Sequence, residues 1–226
     1  MYKDYPAVAL TLTESYMINT GYVQYGCGWS APDTWRNFDA SPTLRFERIP
    51  VLGNLYTKNA TRFPSNVEYG DIVKGLPIPT NTCNAIFASH VLEHLALNDF
   101  SVALNHTFDL LKPGGVFRVI VPDLRAIAQS YLQSSNPLAA HEFMRDSSLG
   151  SEIRPRGVAG LLKNWLGNSS HLWMWDFNSM QSALNDAEFV SVRRCEFGDS
   201  ADPMFMAVED RERFINAVAI EARKPG

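Results

Sequence analysis

One run of apolar residues constrains the fold more than any other stretch of the chain. Residues 116–121 read VFRVIV, and four of these six are β-branched. A nearly unbroken run of this kind is typical of a strand that is buried on both faces, as the strands of parallel sheets are. Another strand candidate at 84–90 precedes it, and between the two a helical pattern runs from Leu97 to Leu111 and ends at KPGG. The order strand, helix, strand predicts an α/β protein with parallel connections.

The rest of the chain fits the same plan, with one irregular region. Helices are predicted after the capping residue Asp123 and from Asp176. Residues 1–20 are predicted to be an N-terminal extension. The segment 136–170 is too long for a simple connection and is predicted to be an insertion that covers the site, within a single domain of residues 1–226. Further strands are predicted from Tyr22 and at 35–38, 67–72, 190–197 and 218–222.

Composition excludes several classes of function. With 226 residues, of which 46% are hydrophobic and 19% charged, the chain is an ordinary globular protein with one sizeable core. The net charge of -4 gives no basic footprint for nucleic acid. The sequence contains neither a signal peptide nor an apolar stretch near the length of about 18 residues that spans a membrane. The three cysteines form no C-x-x-C pair, so reduced thiols in a soluble cytoplasmic protein are expected.

Residues 22–39 (YVQYGCGWSAPDTWRNFD) contain the first candidate ligand site. A short strand runs into a turn with Gly26 and Gly28, and a second short strand ends at Asp39. In an open parallel sheet, ligands lie at the carboxyl ends of the strands, and glycine lets the backbone approach a ligand closely. A carboxylate at the same edge can accept two hydrogen bonds from a ribose diol. The pattern indicates a nucleoside site, although G-x-G by itself is a weak motif.

Four sequence blocks resemble the class I S-adenosylmethionine-dependent methyltransferases, and among them the broad type 11 group. In chain order the blocks are YGCG, NFD, YGDI with GLPIP, and NAIFASHVLEHL leading through a helix to LLKPGGVFRVIVPD. The last block is the most specific. The resemblance covers residues 22–123, and the family's final helix and strand pair fits residues 176–223. It implies a Rossmann-like, seven-stranded and mostly parallel sheet with helices on both faces.

The resemblance also implies a cofactor, S-adenosylmethionine, which would leave as S-adenosylhomocysteine after methyl transfer to a small-molecule acceptor, such as a hydroxyl of a sugar or another small metabolite. The residues assigned to the cofactor all follow predicted strands; they are Gly26, Cys27, Gly28, Asp39, Asp71, Ile72, Ser89 and His90. The first three would pass under the amino-acid part of the cofactor, and Asp39 would hold the ribose hydroxyls. The next two would flank the adenine, and the last two would lie beside the methionine moiety.

Two other functions stay open. One is an S-adenosylmethionine-binding protein without transferase activity, with a regulatory or assembly role. The other is binding of a nicotinamide cofactor. Two observations argue against it: the sequence has no third glycine, and it has no full first helix to receive a pyrophosphate. Only ten residues separate Gly28 from Asp39. One branch of methyltransferases, often encoded near sugar or surface-polysaccharide genes, has a similarly short connection. Glu188 also departs from the family, because relatives often place glycine there.

Histidines and tryptophans are the candidates for the acceptor side. His94 is either a proton acceptor, because imidazole titrates near neutral pH, or a surface or capping residue before the helix. His171, Trp173 and Trp175, in SSHLWMWDF, either line an acceptor pocket or pack into the core. His171 is the best candidate for contact with the acceptor, and it is predicted to be catalytic together with His94.

The segment from His90 to His94 also spells H-x-x-E-H, an inverted zinc-peptidase signature. Such a site needs these residues on one helix face and a third ligand from a separate downstream element. Because a strand runs directly into His90, no metal site is predicted. Arg154 and Arg156 either meet an anionic group of the substrate or belong to a solvated loop.

Overall fold

A computed structural model of the protein describes residues 21–51, 61–152 and 170–226, and its centre is a seven-stranded sheet. The strands are β1 (Tyr22–Tyr25), β2 (Arg36–Asp39), β3 (Val67–Tyr69), β4 (Cys83–Ser89), β5 (Leu111–Pro122), β6 (Val190–Arg194) and β7 (Ala217–Arg223). They lie in the order β3-β2-β1-β4-β5-β7-β6. Strands β1 to β5 pair in parallel, whereas β7 is antiparallel to both β5 and β6. The predicted seven-stranded, mostly parallel, Rossmann-like sheet is confirmed.

Helices connect most of the strands. Within the described ranges, the α-helices are α1 (Pro42–Glu47), α2 (Leu97–Leu110), α3 (Leu124–Gln133), α4 (Ala139–Asp146) and α5 (Phe177–Asp186). Short 3-10 helices span Ile72–Lys74, Leu92–His94, Pro203–Ala207 and Arg211–Phe214. The helices predicted from Leu97, after the cap Asp123 and from Asp176 are confirmed, and Asp176 is the N-cap of its helix. None of the described helices is long and apolar enough to cross a membrane.

One face of the sheet is covered by α2 and α5. The apolar stripes predicted for these helices are buried, with Phe100 and Leu104 of α2 and Met180 and Leu184 of α5 each at most 1% exposed. They belong to one cluster with strand residues such as Phe117. The helical period of the sequence therefore located this part of the core correctly.

The opposite face is covered around Trp35 and β4 by the 3-10 helices of residues 203–214, and at β3 Leu44 of α1 packs against Val67. Trp35 is fully buried there, and its ring centre lies 5.5 Å from that of Phe205. The Trp35 Nε1 atom donates a hydrogen bond to the Met204 carbonyl at 3.0 Å. Phe87 of β4 packs in the same cluster. Helices on both faces were predicted, and the described helices that pack around Trp35 are 3-10 helices.

This second face also contains a buried charge, Arg118 in β5. Its side chain is 0% exposed and forms ion pairs with three acids. Glu221 lies directly opposite on β7, with 3.1 Å between Nη1 and Oε2, and Asp199 lies 3.0 Å from the same nitrogen. Glu209 accepts a hydrogen bond from Arg118 Nε. Because a buried cation requires partners, Arg118 fixes the segment 199–209 to the sheet.

Three predicted strands end earlier than expected. β3 stops at Tyr69, because the side chain of Asp71 caps the 3-10 helix that follows. β4 stops at Ser89, because His90 has a φ of 55° and leaves the extended conformation. β6 ends at Arg194 and does not reach residue 197.

Part of the predicted domain organisation lies outside the described residues. This holds for the predicted extension 1–20, for Arg154 and Arg156, and for the rest of residues 153–169. The described part of the predicted insertion contains α4. Its role as a cover over the site stays a prediction.

Replacement of Glu188 by glycine tests the strain at the end of α5. Glu188 has a φ of 66°, and the N–H groups of Glu188 and Phe189 bond to the carbonyls of Asn185 and Leu184 at 3.0 Å, as in a Schellman motif. Because glycine adopts this conformation without a Cβ clash, Glu188→Gly should raise the free energy of unfolding by about 1 kcal/mol. The control Ser182→Gly, at an exposed position inside α5, should lower it by about 0.5 kcal/mol. Urea unfolding measures both, and a variant at 188 no more stable than wild type would contradict the argument.

Replacement of Arg118 by methionine tests the buried ion cluster. Arg118→Met leaves Glu209 buried without its cation and Glu221 with Arg193 alone, and it should cost about 3 to 5 kcal/mol of unfolding free energy. Arg193 is a matched control, because it pairs with Asp199 and Glu221 but is 41% exposed. Arg193→Met should cost at most about 1 kcal/mol. Equal losses in the two variants, measured by chemical denaturation, would show that burial of Arg118 is not decisive.

Candidate active site

The turn after β1 is shaped by two glycines with positive φ, 66° at Gly26 and 55° at Gly28. A Cβ atom on Gly26 would lie 2.1 Å from Val91 Cγ2, so this position packs against the segment that follows β4. A Cβ atom on Gly28 would meet nothing within 4 Å. The Cys27 N–H between them donates to the Phe38 carbonyl at 3.1 Å, which ties the turn to β2. The backbone is therefore open to a ligand at Gly28.

Asp39 ends β2 beside this turn and is 9% exposed. One of its carboxylate oxygens accepts the Gly28 N–H at 3.0 Å, and the other accepts the Ser41 N–H at 2.7 Å. These two bonds fix the orientation of the carboxylate. Each oxygen keeps a further lone pair that can accept a hydrogen bond from a ligand.

The short connection between β1 and β2 contains no helix and is held by a buried pair of amide side chains, those of Gln24 and Asn37. Gln24 Nε2 donates to Asn37 Oδ1 at 2.6 Å and to the Ser30 carbonyl at 2.7 Å. Asn37 Nδ2 donates to the Trp35 carbonyl at 2.9 Å. Sequence reasoning did not single out this pair. The sequence feature that could have indicated the pair is an amide residue inside each of two short strands.

The next predicted cofactor residues, Asp71 and Ile72, lie at the end of β3. The Gly70 N–H donates to the Asp39 carbonyl at 3.1 Å, so the ends of β2 and β3 are in contact. The Asp71 carboxylate accepts the Val73 N–H at 3.1 Å. The Ile72 side chain is buried in the core beneath α2. The contact of Asp71 and Ile72 with adenine stays a prediction.

Ser89 and His90 lie at the end of β4, which pairs with β1. The His90 N–H donates to the Ile120 carbonyl at 2.9 Å, and its Nδ1 lies 3.2 Å from Ser89 Oγ. Burial, together with the nearby charge of Arg213, lowers the pKa of His90 to about 4. The imidazole is therefore neutral at physiological pH.

All eight predicted cofactor residues thus lie at the carboxyl ends of β1 to β4, which are neighbours in the order β3-β2-β1-β4. From β1 the chain first adds β2 and β3 on one side of β1 in the sheet, and then adds β4 on the other side. The strand order therefore reverses between β1 and β4. Ligands of open α/β sheets bind at such a reversal. The open glycine turn and the oriented carboxylate fit a cofactor with a ribose diol.

Three titratable side chains come together next to this edge. Glu93 and His94 lie in the 3-10 helix after β4, and one ligand atom from each of Glu93, His94 and His171 lies within 4.8 Å of the others. Burial raises the pKa of Glu93 to about 8. The two histidines were predicted as site residues. Glu93 was considered only as part of H-x-x-E-H, and the contact between these three side chains was not predicted. His94 and His171 are 77 positions apart, and no local pattern reports such a contact.

Backbone hydrogen bonds attach the segment 170–173 to the turn that contains Glu93. The Glu93 carbonyl accepts the N–H groups of Leu172 and Trp173 at 2.8 and 3.2 Å. The rings of His94 and His171 lie edge to face, with 5.1 Å between their centres. The position of His171 is therefore fixed by main-chain contacts.

The two tryptophans of this segment have different environments. Trp175 is 3% exposed and stacks on Phe100 with 4.1 Å between ring centres, so it belongs to the core. Trp173 is 43% exposed and is available to a ligand. Of the two interpretations left open by the sequence, core packing applies to Trp175. Substrate binding by Trp173 stays a prediction.

The sheet order is that of the class I methyltransferase fold. Residues 43–119 match the family described as a methyltransferase domain. The match spans 77 of the 226 residues, about a third of the chain. No curated protein gives a significant match to the sequence.

Several solved structures are similar over most of this chain. One is a chain in a complex that contains the Haloferax volcanii Trm112 methyltransferase activator, with 15% identity, a TM-score of 0.47 and coverage of 96% of this chain and 89% of that one. An S-adenosylmethionine-dependent methyltransferase from Thermotoga maritima has 13% identity, a TM-score of 0.47 and coverage of 90% and 82%. Phosphoethanolamine N-methyltransferase 2 of Haemonchus contortus has 10% identity and a TM-score of 0.47, with coverage of 95% and 53%, so this chain spans about half of its length. At such TM-scores these similarities carry no argument about function.

The neutral state of buried His90 predicts a pH dependence of stability. The pKa of His90 is about 4 in the folded protein and ordinarily 6.5, so between these values the unfolded chain takes up a proton that the folded chain does not. This stability contribution is complete above pH 6.5 and is lost as the pH falls towards 4. Asparagine tolerates a positive φ and does not titrate. Between neutral pH and about pH 4, wild type should therefore lose about 1 to 3 kcal/mol more unfolding free energy than His90→Asn. Parallel stability curves from denaturant titrations would contradict this.

Proposed function

We propose that this protein transfers a methyl group from S-adenosylmethionine to a hydroxyl of a small-molecule acceptor, such as a sugar or another small metabolite. One observation carries the proposal. Where the strand order reverses, the Gly28 N–H and the Asp39 carboxylate are bonded to each other beside an open backbone position. The match of residues 43–119 to a methyltransferase domain supports it.

The donor end of the site would use the residues at the ends of the first four strands. Asp39 would hold the ribose hydroxyls with the lone pairs that its backbone bonds leave free. The turn from Gly26 to Gly28 would pass under the amino-acid part of the cofactor. Since the side chain of Ile72 is only 5% exposed, Ile72 would face the adenine mainly through its backbone, with Asp71 beside it.

The acceptor end would contain His94, His171 and Trp173. A sulfonium ion is itself a strong methyl donor, so the main tasks of the protein are to align the acceptor with the methyl group and to exclude water. A base is needed only when the acceptor loses a proton. Burial, with a smaller effect of His94, lowers the pKa of His171, which keeps its imidazole neutral and able to accept that proton. The exposed face of Trp173 would pack on the acceptor.

The proposed location of this reaction is the cytoplasm. The described residues contain three free cysteines, Cys27, Cys83 and Cys195. Unpaired thiols are usual in reducing compartments.

Calorimetric titration with S-adenosylhomocysteine tests the donor end. Wild type should bind, and Asp39→Ala should weaken binding by about 1 to 3 kcal/mol, because hydrogen bonds to a buried ribose are lost. Asp176→Ala is a matched control, since Asp176 also accepts a backbone N–H, from Ser179 at 2.9 Å, but at the start of α5. This control should retain wild-type affinity.

The same titration separates the alternatives. If wild type does not bind S-adenosylhomocysteine but binds a nicotinamide cofactor, the proposal fails. Binding without methyl transfer to any of a set of sugars and hydroxylated metabolites would favour the binding protein without transferase activity.

A further inference from the structure

The carboxylate of Glu93 is not satisfied by the protein around it. Its side chain is 1% exposed, and neither oxygen has a hydrogen-bond partner among the described residues. Burial of an ionised carboxylate without a partner is expensive. One nitrogen atom each of His94 and His171 lies within 4.8 Å of a Glu93 carboxylate oxygen.

The hydrogen bonds of the two histidines determine what these nitrogens can do. His171 Nδ1 lies 2.8 Å from the Ser147 carbonyl, and His94 Nδ1 lies 3.1 Å from the Ser170 carbonyl. A carbonyl oxygen only accepts, so both Nδ1 atoms carry a hydrogen, which leaves Nε2 of each ring as the atom that can bind a metal ion. Metal-binding histidines usually make this bond from the second ring nitrogen to a carbonyl, because it orients the ring and fixes the tautomer.

We infer that Glu93, His94 and His171 bind a divalent metal ion, for which zinc is the best fit. Two imidazoles and one carboxylate form a ligand set that zinc takes, with a fourth position left for water or substrate. The site differs from the one that H-x-x-E-H suggests. His90 is not a member of the trio, and the ligand from a separate downstream element is His171.

The geometry requires only a small contraction. With bonds of about 2.0 to 2.1 Å, two ligand atoms on a tetrahedral zinc ion lie about 3.3 Å apart. The observed separation of His171 Nε2 and Glu93 Oε1 is 4.0 Å, and all three ligand atoms lie within 4.8 Å. Side-chain rotations that move these atoms by about 1 Å would bring them to an ion. The backbone bonds from residues 172 and 173 to Glu93 already hold the two halves together.

A role for the open fourth position rests on the proposed function. A hydroxyl bound to zinc loses its proton more readily, so an acceptor oxygen placed there would be activated by the ion. The hydroxyl proton would pass to water, the oxygen would bond to the methyl carbon, and the carbon–sulfur bond would break with its electron pair left on sulfur. His94 and His171 would then be metal ligands and not proton acceptors.

Zinc titration of the metal-stripped, tag-free protein tests the site without any methyl transfer. Calorimetry and metal analysis should give one zinc ion per wild-type chain. Glu93→Gln, which keeps the side-chain shape, and His171→Asn should each bind at least about 100-fold more weakly. His106→Asn is the matched control, because His106 Nδ1 also bonds a carbonyl, that of Ile72 at 2.7 Å, but lies outside the trio. This control should bind like wild type.

Several outcomes would overturn the inference. These are no stoichiometric binding to wild type, unchanged binding to Glu93→Gln, or loss of binding in Cys27→Ser, which would assign the ion to a thiol. Circular dichroism of the metal-free variants checks that they are folded. If the protein binds S-adenosylhomocysteine but not zinc, the inferred metal site is wrong and the proposed function is unaffected. If it binds zinc but not S-adenosylhomocysteine, the proposed function is wrong and the metal site is supported.

Discussion

A buried cation must be paired, and the way in which Arg118 meets this requirement shapes one side of the molecule. Its three acidic partners, Glu221, Asp199 and Glu209, come from β7 and from the segment before it. They hold that segment across the sheet, where Phe205 packs on Trp35. The cover of this face thus depends on charge pairing as well as on apolar contact.

The segment held by Arg118 also supports the strand ends that carry Gly28 and Asp39. Trp35 belongs to the short connection between β1 and β2, and its contact with Met204 and Phe205 supports a connection that contains no helix. The connection in turn places Asp39 next to Gly28. The segment pinned by Arg118 leads on to Arg213, whose charge helps to keep His90 neutral. The positions of Gly28 and Asp39 therefore depend on the packing around Trp35.

Sequence reasoning located the elements whose signals are local. The helical period gave α2 and α5, the β-branched run gave β5, and Asp123 was identified as a cap from its position alone. The residues predicted to contact the cofactor follow β1 to β4 in the structure, because turn chemistry and parallel connections are both readable in the chain. Their contacts with the cofactor stay predictions.

The parts that could not be predicted are contacts between polar groups far apart in the chain. Arg118 stands inside an apolar run, and its partner Glu209 is 91 positions away. Glu93 meets His171 only because the chain returns to β4 after the region of residues 136–170. Trp173 and Trp175 alternate in the sequence, yet only Trp175 reaches the core. Periodicity describes one element at a time and contains no information on such meetings.

The docking of residues 172 and 173 on the Glu93 carbonyl has an evolutionary consequence. Both hydrogen bonds are donated by main-chain N–H groups, at 2.8 and 3.2 Å, so the attachment does not depend on which side chains stand at these two positions. Leu172 and Trp173 are both exposed. Substitutions there can accumulate without detaching the segment from the sheet. Natural selection can thus vary the surface next to His171 while the strand ends around Asp39 remain as they are.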